Sequence, residues 1–163
     1  MLIKGAGGPI LFETVTALAP PEAVWKVLTT PATWQKWWGG AIQKVVPGWQ
    51  EGGQVHWKMG SPSRIEKCVS PETLLLIGDS GTKTGFTLKA GEKAGTTEIS
   101  YMESYASSRL GIAESAAAEA RVRSTLAKLM SCAEIEAVRP SPAVAAEGPS
   151  AEKKWWQFWK PAA

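Results

Sequence analysis

Few side chains in this sequence could hold a metal ion or act as a nucleophile. The 163 residues include one histidine, His56, and two cysteines, Cys68 and Cys132, which are far apart. This set cannot supply the usual ligands of a zinc site and has no redox spacing. The histidine has no evident relation to a serine or cysteine that it could activate. We therefore expect no metal, no cofactor, and reduced thiols in a cytoplasmic protein.

Long apolar runs and phosphate-binding motifs are also missing. The longest apolar run is a few residues, far short of a membrane span, and the first ten residues lack the apolar core of a signal peptide. The glycines at positions 5–8 follow no predicted strand, so they are not a dinucleotide fingerprint. Residues 1–138 carry 14 Lys and Arg against 13 Asp and Glu, which predicts no nucleic-acid partner for this part of the chain.

Residues 19–40, APPEAVWKVLTTPATWQKWWGG, predict two short helices. The prolines at 20 and 21 suit the first turn of a helix, and the proline at 31 ends that helix and begins the next, with Thr30 as a candidate cap. Two glycines end the second helix. Trp34, Trp37 and Trp38 are spaced so that they share one face of it.

The rest of residues 1–138 predicts an antiparallel sheet and one long helix. Residues 10–19 predict a first strand, and turn signals about every ten residues separate six more, at 41–46, 53–59, 63–69, 73–78, 85–90 and 96–105. A helix is then expected from Ser107 or Ser108 to about Val138. Its first half has small residues, which leaves room for a cavity between helix and sheet.

Three stretches carry a resemblance to a known family. They are residues 17–40, with Val24-Trp25 and the Trp37-Trp38 pair, the turn EGGQVHWKMG at 51–60, and the helix after TEISY. Here the chain resembles the START-like superfamily, also called SRPBCC, in its polyketide-cyclase and heat-shock-ATPase-activator-homologue branch. The resemblance covers about residues 9–138. It implies the α+β helix-grip fold, in which a curved seven-stranded antiparallel sheet wraps around a long C-terminal helix and encloses an apolar cavity.

Strand alternation and the resemblance together give candidate ligand-binding residues. Trp38 and Trp57 either line the cavity or pack in the core, and His56 is expected to face solvent. Glu103 either faces the cavity beside Tyr101, where it could orient or protonate a ligand, or reaches water or an arginine such as Arg109. The candidates are Trp38, Val55, Trp57, Met59, Ile99, Tyr101, Glu103, Ala113, Ala116 and Ala120.

The end of the chain is predicted to be separate from this domain. Residues 139–152 contain three prolines and no periodicity, which is typical of a linker. In residues 153–163, four large aromatic side chains lie among lysines. This tail is predicted to bind a membrane surface, to dock on a protein partner, or to fold back on its own domain. Its contact residues are Lys153, Lys154, Trp155, Trp156, Phe158, Trp159 and Lys160.

The first functional hypothesis is a carrier of a hydrophobic small molecule, such as a lipid, a quinone or a polyketide-like compound. Family members bind such ligands; many are carriers and some are enzymes. The tail would bring the protein to the inner face of a membrane through anionic lipid. The alternatives are a cyclase or aromatase that uses Glu103 and Tyr101, and a co-chaperone-like interaction module.

Overall fold

Eight antiparallel strands and three helices form the fold of the part of the chain that the structure describes. The structure is a computed structural model that describes residues 1–5, 8–105 and 112–140. The strands are β1 (Leu2–Gly5), β2 (Gly8–Ala17), β3 (Ile42–Val46), β4 (Gln54–Trp57), β5 (Ser63–Val69), β6 (Thr73–Ile77), β7 (Lys83–Ala90) and β8 (Thr97–Ser104). The helices are α1 (Pro21–Leu28), α2 (Pro31–Trp37) and α3 (Ile112–Ala137).

The strands form one open antiparallel sheet, which consists of a meander and one pairing between strands far apart in sequence. Its order is β1-β2-β8-β7-β6-β5-β4-β3, so strands β3 to β8 are consecutive hairpins and β2 joins the last of them. The predicted α+β helix-grip class and the two helices between β2 and β3 are confirmed. Strand β1 adds an eighth strand at one edge, which the sequence analysis did not predict.

Prolines mark the start of both short helices. Each has proline in its first turn, and α1 buries the apolar face Ala23, Val24, Val27 and Leu28. Thr30 is the N-cap residue of α2, as predicted. Its hydroxyl donates to the carbonyl of Lys26 and accepts no hydrogen bond from an N–H of α2.

Helix α3 packs on the inner face of the sheet through one apolar stripe. Val122, Leu126, Leu129 and Ala133 are buried at spacings of four, three and four residues, which is one face of an α-helix. The N–H of Leu18 donates to Glu134 Oε1 at 3.3 Å, and Lys26 of α1 pairs with Glu136. Helix α3 therefore lies against α1, α2 and strand β2, and its end is held by α1 and the chain before it.

Candidate functional site

Six aromatic rings line the inner face next to α2, and we call them the aromatic wall. Trp34 lies at its centre, with ring centroids 4.4 Å from Trp37 and 6.3 Å from Phe86. Both α2 and the curved sheet contribute to it, because the tryptophans of α2 share one face and the strand residues point inward. The aromatic wall consists of Trp34, Trp37, Trp38, Trp49, Trp57 and Phe86.

At the polar end of the site the ring centroid of Phe86 lies 5.2 Å from that of Tyr101, and the other neighbouring member of the aromatic wall is Trp38. It is partly buried, and its ring centroid lies 6.4 Å from that of Tyr101. Trp57 is also partly buried, and its Nε1 donates to Ser63 Oγ at 3.0 Å. Val55 and Ile99 are completely buried on the inner face of the sheet. These four predicted residues therefore belong to the inner face.

Three predicted ligand-binding residues do not face the interior. Strand β4 ends at Trp57, so the alternation does not continue to Met59, whose side chain is 91% exposed. Ala116 and Ala120 are exposed, because the stripe that begins at Val122 continues back through Ala118 and not through them. The predicted inward positions of Met59, Ala116 and Ala120 were wrong. The side chain of Ala113, Arg109 and the contact residues of the tail lie outside the described residues.

Glu103 lies on the inner face near the end of β8 and is the centre of a polar network. It is 7% exposed, and its carboxylate accepts hydrogen bonds from both tyrosines of the chain. The hydroxyl of Tyr101 donates to Oε2 at 2.6 Å, and that of Tyr105 donates to Oε1. Arg121 of α3 donates from Nη2 to both carboxylate oxygens, each at 2.9 Å. The carboxylate thus faces inward beside Tyr101 and also pairs with an arginine.

This network holds both tyrosines and Arg121 in fixed protonation states. Burial, followed by the charge of Glu103, raises the pKa of Tyr101 far above its ordinary value of 10. Burial and the hydrogen bond to Glu103 raise the pKa of Tyr105 to about 12. Burial is the largest single influence on Arg121 and lowers its pKa, but the hydrogen bond to Glu103 and the charge of Glu103 together outweigh it, so the pKa is raised overall. Both tyrosines therefore stay protonated and Arg121 stays charged at neutral pH.

A second ion pair lies on the other side of α3. Arg123 Nε donates to Glu13 Oε1 at 3.3 Å, and Glu13 faces Tyr101 across the β2–β8 pair. A hydrogen bond from the Met1 amino group is the first cause, and Arg123 a further one, of a lowered pKa at Glu13. Val122 is buried between the two arginines. One ion pair on each side therefore fixes the rotation of the helix about its axis.

Sequence reasoning missed Arg121, Val122 and Arg123. The signal that could have found them is the apolar stripe of the second half of α3, because Val122 lies four residues before Leu126. Continuing the stripe back to Val122 would have placed an arginine on each side of it. Their partners on β2 and β8 are more than fifteen residues away, so spacing alone does not give the pairs.

The two tyrosines provide a direct test of the network. The chain has no others, so every tyrosinate signal in an alkaline titration comes from Tyr101 and Tyr105. We expect folded protein to show almost no tyrosinate absorbance near pH 10 and half-ionisation of Tyr105 at about pH 12, whereas unfolded protein titrates near the ordinary value of about 10. Because the folded-state pKa values are raised, the stabilisation is complete below pH 10 and is lost as the pH rises through 12. Half of the absorbance change near pH 10 in folded protein would contradict the network.

Other features of the described residues lie apart from this site. A surface cleft of about 460 Å³ opens between the start of α1, the β5–β6 turn and β7, and none of the predicted ligand-binding residues lines it.

Both cysteines are free, and burial raises the pKa of Cys68. No three His, Cys, Asp or Glu side chains converge within the described ranges. Of the helices described, none has both the length and the apolarity needed to cross a membrane.

Several solved structures have the same fold. The Aha1 dimer from Colwellia psychrerythraea is 19% identical, with a TM-score of 0.60 over 78% of this chain and 97% of that one. CalU16 from Micromonospora echinospora is 16% identical, with a TM-score of 0.55 over 83% and 89%. DynU16, a putative protein in the dynemicin biosynthetic locus, is 19% identical with a TM-score of 0.61; the match covers 77% of this chain and 47% of that one. These similarities show the fold alone.

The family follows from the sequence. A search of curated proteins gave no match. The model of the Activator of Hsp90 ATPase homolog 1-like protein family matches residues 18–134. This range contains α1, α2, strands β3 to β8, the aromatic wall and most of α3. The chain therefore belongs to the Activator of Hsp90 ATPase homolog 1-like protein family, within the SRPBCC superfamily.

Proposed function

We propose that this protein binds an apolar or amphipathic small molecule between the inner face of its sheet and the first half of α3. The observation that carries the proposal is the aromatic wall, whose partly buried member Trp38 lies next to Tyr101. Flat aromatic side chains with a few polar groups at one end are typical of sites for such ligands. The wall would receive the apolar body of the ligand, and the tyrosine–glutamate–arginine network would lie near its polar end.

The hydrogen bonds to the Glu103 carboxylate favour a ligand-binding role of this protein over acid–base catalysis. Its two carboxylate oxygens already accept from two hydroxyls and one guanidinium, so no free lone pair points to a substrate proton. The raised pKa of Tyr101 also makes its hydroxyl a poor proton donor near neutral pH. A cyclase reaction through these two residues would first require the network to break. We therefore assign them a structural role in a carrier.

The aromatic tail supports a second part of the proposal, which is weak and reversible attachment to a membrane. Tryptophan favours the headgroup region, and each lysine near an anionic surface contributes about 1 kcal/mol. Residues 153–163 contain three lysines and three tryptophans. The segment is too short for firm anchoring. It would bring the pocket to the surface where apolar ligands are stored.

Native mass spectrometry of the full-length protein tests the pocket. We expect close to one co-purified small molecule per chain, identified after organic extraction. The Trp38→Ala variant should lose the ligand, because the substitution removes the partly buried ring next to Tyr101. Met59→Ala is the matched control, since it truncates an exposed side chain and should keep the ligand. Empty wild-type protein that also takes up no added naphthalene derivative would contradict the proposal.

The same protein tests the tail when mixed with vesicles of phosphatidylglycerol and phosphatidylcholine. We expect sedimentation with the vesicles for the full chain and little for residues 1–152. Changing the three tail lysines to glutamine is the matched control for charge, and it should weaken binding to the anionic vesicles but not to pure phosphatidylcholine. Equal sedimentation of full and truncated chains would reject the membrane role. A protein captured by the tail alone, without vesicle binding, would indicate the interaction module.

A further inference from the structure

One indole in the aromatic wall has a buried donor with no partner among the described residues. Trp37 is 1% exposed, and its Nε1 is buried with no hydrogen-bond acceptor within reach among the described residues. Its neighbours differ in this respect. Trp34 Nε1 donates to the carbonyl of Leu28 at 2.9 Å, and Trp57 Nε1 donates to Ser63 Oγ at 3.0 Å. Trp37 therefore differs from Trp34 and Trp57, whose indole N–H groups each have an acceptor.

Such a donor calls for an explanation. Leaving a buried N–H unpaired costs about 1–3 kcal/mol, and native proteins contain few such groups. The rings around Trp37 are aromatic, with centroids at 5.6 Å for Trp38 and 5.8 Å for Phe86, and neither side chain offers a conventional acceptor there. In such apolar surroundings a hydrogen bond supplied from outside is worth more than in water.

We propose that the ligand of this site is a planar apolar molecule with a carbonyl oxygen, and that this oxygen accepts the hydrogen bond from Trp37 Nε1. The inference rests on the proposed function, because it specifies the ligand of that same pocket. The aromatic wall selects the flat body, and the indole donor selects the carbonyl. A saturated hydrocarbon chain would satisfy the wall only in part and would leave the donor unpaired.

The donor is tested with two probes of nearly the same shape, acetylnaphthalene and ethylnaphthalene, which differ in one carbonyl oxygen. Dissociation constants are measured for both on the full chain and on Trp37→Phe, which keeps an aromatic ring and removes the N–H. We expect the substitution to weaken acetylnaphthalene binding about five- to tenfold and to change ethylnaphthalene binding less than about twofold. Loss of ring area acts on both probes, so the difference between them isolates the hydrogen bond.

A second measurement does not depend on the variant folding well. In wild-type protein labelled with nitrogen-15, one indole N–H resonance should shift downfield with acetylnaphthalene and remain in place with ethylnaphthalene. The spectrum of Trp37→Phe identifies this resonance by its absence. If both probes bind but lose affinity equally and no indole resonance distinguishes them, the carbonyl inference is overturned while the pocket stands. If neither probe binds wild-type protein, the pocket proposal and this inference both fail.

Discussion

Trp34→Ala is expected to lower the free energy of unfolding by about 4–5 kcal/mol, the largest single effect in this chain. Its side chain is completely buried, and its ring contacts all five other rings of the aromatic wall. Its Nε1 also donates to the carbonyl of Leu28, which joins α2 to the end of α1. Alanine removes the apolar contacts, leaves a cavity, and leaves that carbonyl without its donor. A small domain has a total stability of about 5–15 kcal/mol, so the variant should be close to unfolding.

Urea unfolding followed by circular dichroism measures this loss. Met59→Ala is the control for a large side chain truncated at an exposed position, and it should change stability by less than about 0.5 kcal/mol. Trp34→Phe should fall between the two, because it keeps a ring but loses the hydrogen bond. A loss below about 2 kcal/mol for Trp34→Ala would mean that the ring is not the centre of the core.

Arg121→Met is expected to cost about 2–3 kcal/mol, because among the described residues it leaves the buried Glu103 carboxylate with only tyrosine hydroxyls as partners. The cost stays below that of a fully buried pair, since the Arg121 side chain is 48% exposed and water screens part of the interaction. Adding Glu103→Gln should restore about half of the loss, because the amide is neutral and still accepts from Tyr101. The two single variants and the double variant, each unfolded in urea at neutral pH, give the coupling energy.

Arg123→Met is the matched control on the other side of α3. Its guanidinium pairs with Glu13 at 3.3 Å from a side chain that is 65% exposed, so its removal should cost less than about 1 kcal/mol. Equal losses for the two arginines, or simple additivity of Arg121→Met and Glu103→Gln, would show that the Glu103 network is not a coupled unit. The Arg121–Glu103 pair should therefore contribute clearly more to the free energy of unfolding than the Arg123–Glu13 pair, although both involve an arginine next to Val122.

Local patterns predicted those parts of the fold that depend on local chemistry. The prolines at 20, 21 and 31 predicted both short helices, and the spacing of the tryptophans predicted their common face. Alternation along β8 predicted that Ile99, Tyr101 and Glu103 share one face, and burial shows that this face points inward. Each of these features is decided within one turn or one strand.

The features that failed depend on where an element ends or how it is rotated. Alternation after Trp57 predicted an inward Met59, but the strand stops first. The alanines at 116 and 120 did not indicate which side of α3 faces the interior, because alanine occurs on every side of its first half. Strand β1 is four residues long and contains a glycine, so it gave little strand signal. The partner of Glu103 depends on how the helix is rotated over the sheet, which no local pattern contains.

The pairing of β2 with β8 sets the order in which the protein can be built. Thr14 and Ser100 lie side by side, with hydroxyl oxygens 3.4 Å apart, although 86 residues separate them in the chain. On the ribosome, β2 must wait without its central neighbour until the last strand has been made, and contacts of such long range slow folding. The hairpins from β3 to β7 need no such delay. A chain halted before residue 97 has neither β8 nor α3, so it should hold a partial meander with an open edge and an uncovered inner face, a state exposed to aggregation.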